Sequence, residues 1–399
     1  MGLVPSPEDA ALIQQKQQQA LGYLRDNDID AWLVFVREGS EPILTSLIAG
    51  PSYVVQNAAF IFTRDGRRIA LLEPIDIQNG AGTYFDEVIE FRFDVGQPLR
   101  QVWARLDPRR VALNYSATEF AADGLTLGMY RRLLDALGEL GLEQRMVSAE
   151  NLIVAIRAVK AEEERDRLKT AAEITIELAR EMSAALKPGI TDSDLADLVR
   201  ERATAHGASG ASASLAVNGV GKNVKGPLGK VIEPGQTIVS DMGAVYKGYK
   251  ADIKRLWYVA AGDEPIPEVL RRQWDACQAS LAGALKALRP GRPGYEVHEE
   301  AWAYVEEHGF PRDNHSYGHQ IGREAHDAGP WLGERVNPYR PAEGRLEAGM
   351  VVTLDPTINR VGISRPDAFC MGREEMAEVT EAGGRLLHEP QDELWVARF

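Results

Sequence analysis

Apolar residues fall into short blocks separated by turn formers, and the period of each block indicates an element. Ser6-Pro7-Glu8-Asp9 predicts a helix start, with Ser at the N-cap, Pro at the first helical position and acids in the first turn. That helix is expected to run to about Asp28. The unbroken apolar run Ala31–Val36 predicts a buried strand. Phe60–Thr63 and Ile69–Leu72 flank Asp65-Gly66 and predict a hairpin. Val111–Leu113 predicts another short strand, and the region from Tyr130 to Leu140 a helix. Residues 1–156 therefore predict one α/β domain of common size, without a chemical constellation of its own.

At Lys160 the composition shifts. Glu162-Glu163-Glu164 opens a long helical segment to about Leu186, its acids where the helix dipole favours them. The domain boundary is placed here, giving 157–399 as a second domain. That domain repeats itself. Leu186-Lys187-Pro188-Gly189 recurs 102 positions later as Leu288-Arg289-Pro290-Gly291, Asp194-Leu195 as Glu296-Val297, and His206-Gly207 as His308-Gly309. Both copies predict helix, Pro-Gly turn and second helix with a C-terminal Gly. Downstream, Gly235 leads through a strand that is expected to stop at Asp241. Gly349 leads through a matching strand to Asp355, six residues on in both cases. Two such matches in order predict a duplicated unit with approximate two-fold symmetry, its halves sharing a cleft with an Asp from each.

The 399 residues hold 45 Lys plus Arg against 59 Asp plus Glu, a net charge of −14. That balance argues against nucleic acid or an anionic membrane as partner, since phosphates need a basic footprint. No apolar run is long enough to span a membrane, and the N-terminal residues lack the regions of a signal peptide. The 2 cysteines, Cys277 and Cys370, are too few for a disulfide framework, which makes a reducing cytoplasm the expected compartment.

The candidate chemistry lies in the second domain. Asp241 and Asp252 flank a segment with two glycines that suits a hairpin, and close carboxylates repel unless protonated or neutralised by a cation. Asp355 and Glu374 are their counterparts in the second half. Between them fall His315, His319 and His326, three of the chain's 7 histidines. The glycines at 318 and 322 argue against a helical zinc motif. Mirrored carboxylates around an imidazole suit Mn²⁺, Co²⁺ or Zn²⁺, and a mostly acidic set of five suits two ions with bridging carboxylates.

Five stretches in order carry a family resemblance: Ser240–Gly243, Gly248–Arg255, His315–His326, Gly349–Pro356 and Glu374–Thr380. In these, residues 157–399 resemble the pita-bread metallopeptidases, the family of prolidase, aminopeptidase P and methionine aminopeptidase. The layout, an α/β creatinase-like domain ahead of the pita-bread domain, resembles the Xaa-Pro enzymes. The resemblance implies metal ligands at Asp241, Asp252, His319, Asp355 and Glu374 for two divalent ions per chain, Mn²⁺ foremost, with Zn²⁺ or Co²⁺ as alternatives. It implies that His326 contacts the scissile peptide, that His315 lines the proline pocket, and that Asp355 or Glu374 moves the water's proton to the leaving nitrogen. Arg365 is a further candidate, for a substrate carboxylate. The implied activity is hydrolysis of Xaa-Pro bonds, first in dipeptides, by a homodimer, with Xaa-Pro aminopeptidase or a silent binding module of the same fold as alternatives.

Departures from the family fall at five places. Asp355 and Thr357 replace Glu and Gly of the Thr-Ile-Glu-Pro-Gly segment, and Asn359 replaces a Tyr. Val224 and Lys225 stand where a pocket His is usual. Gly372 replaces an Arg, unless a one-residue shift pairs Arg373 with Glu375.

Overall fold

The computed structural model describes residues 7–51, 53–219, 225–337, 341–359 and 368–399. Backbone contacts divide the chain into two compact units, Met1–Arg157 and Ala158–Phe399.

In the first unit the helix Pro7–Asp26 precedes a six-stranded mixed sheet. Its strands are Ala31–Val36 (β1), Ala58–Thr63 (β2), Arg68–Leu72 (β3), Glu87–Glu90 (β4), Val111–Leu113 (β5) and Met146–Ser148 (β6), in the order β4-β3-β2-β1-β5-β6. The expected hairpin forms: β2 and β3 pair antiparallel with Phe62 opposite Arg68, and Gly66 turns at φ 97°. Only glycine takes that backbone angle without strain. β1 is buried along its whole length because both faces of the sheet are covered. Trp32 and Phe62 stack on one face and Leu33 and Leu99 pack on the other.

The second unit shows the duplication in its backbone. The helices Glu162–Ala185 and Asp192–Arg202 are answered by Glu268–Ala287 and Gly294–Glu307. The turn glycines match in angle, Gly189 at φ 84° with Gly291 at 83°, and Gly235 at 85° with Gly349 at 86°. One sheet holds Gly210–Asn218 (β7), Lys225–Gly226 (β8), Thr237–Tyr246 (β9), Tyr249–Lys250 (β10), Ile253–Ala260 (β11) and Trp395–Arg398. The other holds Val351–Leu354 (β12), Glu375–Thr380 (β13) and Gly383–Leu386.

One expectation needs correction. β9 does not stop at Asp241 but runs on to Tyr246, pairing with β7 from Thr237 to Val245. Gly243 permits this, because a Cβ there would lie 1.8 Å from the carbonyl oxygen of Ala251. Asp241 is thus a mid-strand residue, while Asp355 follows the last residue of its own strand. No helix among the described residues is long and apolar enough to cross a membrane.

Candidate metal centre

The two halves of the second unit meet at a seam between β11 and the residue before β13. The Lys254 N–H donates to the Glu374 carbonyl at 3.2 Å and the Glu374 N–H to the Lys254 carbonyl at 3.4 Å. Lys254 is also the register partner of Asp241 on β9. Asp252 lies two positions before Lys254, and the period of extended chain puts their side chains on one face. The seam therefore gathers Asp241, Asp252 and Lys254 from one half with Glu374 from the other.

His319 and Asp355 arrive by a second pairing. The segment 317–321 runs beside β12: the Thr353 N–H donates to the His319 carbonyl at 2.9 Å, and the Asp355 N–H to that of Tyr317 at 2.7 Å. Gly318 allows the approach, since a Cβ there would sit 1.9 Å from the Thr353 carbonyl oxygen.

The result is a largely buried cluster of four carboxylates, one ammonium and one imidazole, with the Asp241 side chain, 41% exposed, at its open edge. Lys254 Nζ lies 2.6 Å from Asp355 Oδ2, 2.8 Å from Glu374 Oε2 and 3.9 Å from Asp241 Oδ2. The other Glu374 oxygen faces away from the lysine: Oε1 lies 3.8 Å from His319 Nε2, which is 3.7 Å from Asp252 Oδ2. Asp252, His319 and Glu374 each present one ligand atom, all within 4.8 Å of one another. Thr357 Oγ1 donates to Asp355 Oδ1 at 2.5 Å. His315 Nε2 lies 3.6 Å from Asp355 Oδ2.

Burial and like charge dictate the protonation of this cluster. Burial, then repulsion from Asp241, pushes the Asp252 carboxyl up to about 8. Glu374 is raised well above the usual carboxylate range by burial and by Asp252. Burial also acts on Asp355, but the charges of Lys254 and His315 outweigh it and hold that carboxyl low. Lys254 pays for burial and is nevertheless raised well above the usual ammonium range by Asp355 and Glu374. Burial, with the neighbouring His326, lowers His319 to about 3, so its imidazole is neutral. A neutral imidazole and two carboxyls that keep protons for want of positive charge are a donor set that fits a divalent cation.

The remaining sequence candidates are placed as follows. His326 packs edge-on against His319 at 4.4 Å between ring centroids, and Trp331 lies 5.3 Å from both rings. His315 stands edge-on to Trp302 at 5.2 Å. Arg365 and Val224 lie outside the described residues. Arg373 and Glu375 do pair, at 3.0 Å, but away from the cluster: Glu375 is fully buried and also meets Arg255 at 3.0 Å. Glu374 is the one that faces Lys254 and His319. Asn359, at φ 56°, donates its amide to the Ala368 carbonyl.

Two residues were missed. Lys254 carries no motif of its own in the sequence, although its place two positions after Asp252 on extended chain puts both side chains on one face. Lys225 had no chemical role assigned, yet it lines a cavity of about 190 Å³ with Ser214, Val239, Asp241, Lys254 and Asp355.

Comparison with known proteins assigns the class. Residues 166–381 match the family described as metallopeptidase family M24, and the chain belongs to that family. It is 28% identical over 278 residues to an uncharacterized peptidase, YqhT, of Bacillus subtilis, covering 68% of this chain and 73% of that one. It is 31% identical over 166 residues to the Xaa-Pro dipeptidase of Pyrococcus furiosus, covering 41% of this chain and 43% of that enzyme. Among solved structures, the X-Pro aminopeptidase of Thermotoga maritima is 25% identical with a TM-score of 0.72, over 93% of this chain and 98% of that one. An Xaa-Pro dipeptidase of Bacillus anthracis shares the fold at 20% identity and a TM-score of 0.74, over 96% and 99% of the two chains.

Proposed function

We propose that this chain hydrolyses the peptide bond before proline in short peptides, dipeptides first, with a divalent cation held at Asp252, His319 and Glu374. The observation that carries this reading is the convergence of those three donors from both halves of a duplicated unit in a member of a metallopeptidase family. The chain's similarity to the Xaa-Pro dipeptidase of Pyrococcus furiosus and the X-Pro aminopeptidase of Thermotoga maritima supports the substrate class. A bound divalent cation supplies Lewis acidity for the scissile carbonyl and acidifies water.

The chain's own residues do the rest. Lys254 holds Asp355 ionised, so Asp355 can accept a proton near neutral pH and return it to the leaving nitrogen. Thr357 orients that carboxylate through its hydroxyl. His326, packed on His319 and Trp331, is placed to donate to the oxygen that becomes negative as the carbonyl is attacked. His315, braced by Trp302, lines the proline side. A proline nitrogen carries no N–H and its ring fixes φ, so recognition rests on a shaped pocket and not on backbone pairing. The cavity beside Asp241 and Lys254 is compact, and Lys225 on its wall is suited to the terminal carboxylate of a dipeptide.

The test is release of the free N-terminal amino acid from Xaa-Pro dipeptides and Xaa-Pro-Yaa tripeptides, with and without Mn²⁺, by the native chain and Asp252→Asn. Mn²⁺-dependent cleavage of dipeptides by the native chain alone is expected. Faster cleavage of tripeptides would make the chain an aminopeptidase, and no cleavage of either would end the peptidase reading.

A further inference from the structure

Glu374 divides the cluster into two sides, the two positions a cation could take. Its Oε2 meets Lys254 Nζ at 2.8 Å, while its Oε1 faces His319, which in turn faces Asp252. Asp355 and Asp241 complete the lysine side, at 2.6 and 3.9 Å from Nζ. Lys254 reaches this place from the middle of the seam, its backbone paired on one side with Glu374 and on the other with Asp241. Its backbone is therefore fixed by main-chain pairing, and its ammonium by the carboxylates.

We propose that the Lys254 ammonium is a built-in cation that occupies one of the two positions, so that each chain takes a single divalent ion, at Asp252, His319 and Glu374. This rests on the metallopeptidase reading and alters its stoichiometry: the centre is mononuclear, with a lysine in place of the second metal. Charge balance favours the arrangement. Four carboxylates face one ammonium and a neutral imidazole. One dication with the ammonium leaves a single net negative charge, on the side where Asp241 meets water, whereas two dications with the ammonium exceed the carboxylates around the mostly buried Lys254, Asp355 and Glu374. Unbalanced charge of either sign is costly where the surroundings cannot solvate it. The donor chemistry agrees: on the lysine side both Asp355 oxygens and Glu374 Oε2 are already engaged by Nζ and Thr357, while the far side keeps the imidazole and two carboxylate oxygens together.

The experiment loads the purified full chain with Mn²⁺, removes free ion, and counts manganese per chain by elemental mass spectrometry. Electron paramagnetic resonance is recorded on the same samples. The native chain should hold one ion with the spectrum of an isolated Mn²⁺, and Asp252→Asn should lose it. Lys254→Ala, shown to be folded by circular dichroism, should take two ions with an exchange-coupled spectrum. Two coupled ions in the native chain would overturn this proposal and leave the metallopeptidase reading intact. A folded Lys254→Ala that stays at one ion would also overturn it. A native chain without manganese at saturating concentration would overturn both. The native count decides the matter even if the variant does not fold.

Discussion

Lys254 and Asp355 face each other at 2.6 Å across the two halves of the second unit, from positions 101 residues apart in the chain. Neither half contains this pair alone. Removing the lysine from so buried a place leaves carboxylates without their partner, a change that costs about 3–5 kcal/mol in comparable buried pairs. Lys254→Ala should therefore lose on the order of that stability in urea unfolding when metal is chelated, and recover much of it when Mn²⁺ is supplied.

The two adjacent glutamates should separate cleanly. Glu375 is fully buried between Arg255 and Arg373, so Glu375→Gln should cost about 3 kcal/mol in stability and leave manganese content unchanged. Glu374→Gln should do the reverse, keeping the melting temperature of the chelated protein within a few degrees while reducing manganese affinity at least tenfold. Titration calorimetry and thermal melts of both variants check this.

A pH dependence follows from Asp252. Its folded carboxyl titrates near 8 and its unfolded one near 3.8, so between these values the folded state binds the extra proton and stability falls as pH rises. The buried histidines act oppositely, with His319 near 3 and His298 near 4, but their contribution is complete above the ordinary histidine value of 6.5. From pH 6.5 to 8 the chelated protein should therefore lose stability, at up to about 1.4 kcal/mol per pH unit for one such group. Asp252→Asn should flatten the slope, and so should saturating Mn²⁺. Urea midpoints at pH 6.5, 7.2 and 8 measure it.

Gly318 sets where His319 stands. A methyl group there would meet the Thr353 carbonyl oxygen at 1.9 Å, which only backbone movement relieves. Gly318→Ala should cost about 1–3 kcal/mol and weaken manganese binding through a displaced His319. Melting temperature and metal affinity, measured together, would contradict this if both were unchanged.

Lys225 should act on binding and not on chemistry. Lys225→Ala is expected to raise KM for an Xaa-Pro dipeptide about tenfold with kcat nearly constant, as loss of one charged hydrogen bond would. The same variant should leave KM for the C-terminal amide of that dipeptide unchanged, because the amide carries no charge to lose.

Much of this was legible in the sequence because it rests on local rules. The Pro-Gly turns, the helix pairs and the hairpin at Asp65-Gly66 declare themselves by residue type, and the duplicated order put an acid in each half. The full length of β9 was hidden, since its continuation past Asp241 depends on a close approach at Gly243 that no local pattern reveals. Glu374 and Glu375 could not be told apart for a similar reason: adjacent residues on extended chain point opposite ways, and only the seam with Lys254 decides which way is inward. Lys254 itself was visible as a letter, but its place as a cation among acids is a property of the assembled halves.

The seam at Lys254 and Glu374 joins strands 120 residues apart. Such a contact closes late, because the chain must bring distant segments together before the bond repays the lost freedom. A nascent or nicked chain that has made all its local hairpins and helices therefore still has no reaction centre. The ligand set exists only in the chain whose two halves have closed on one another.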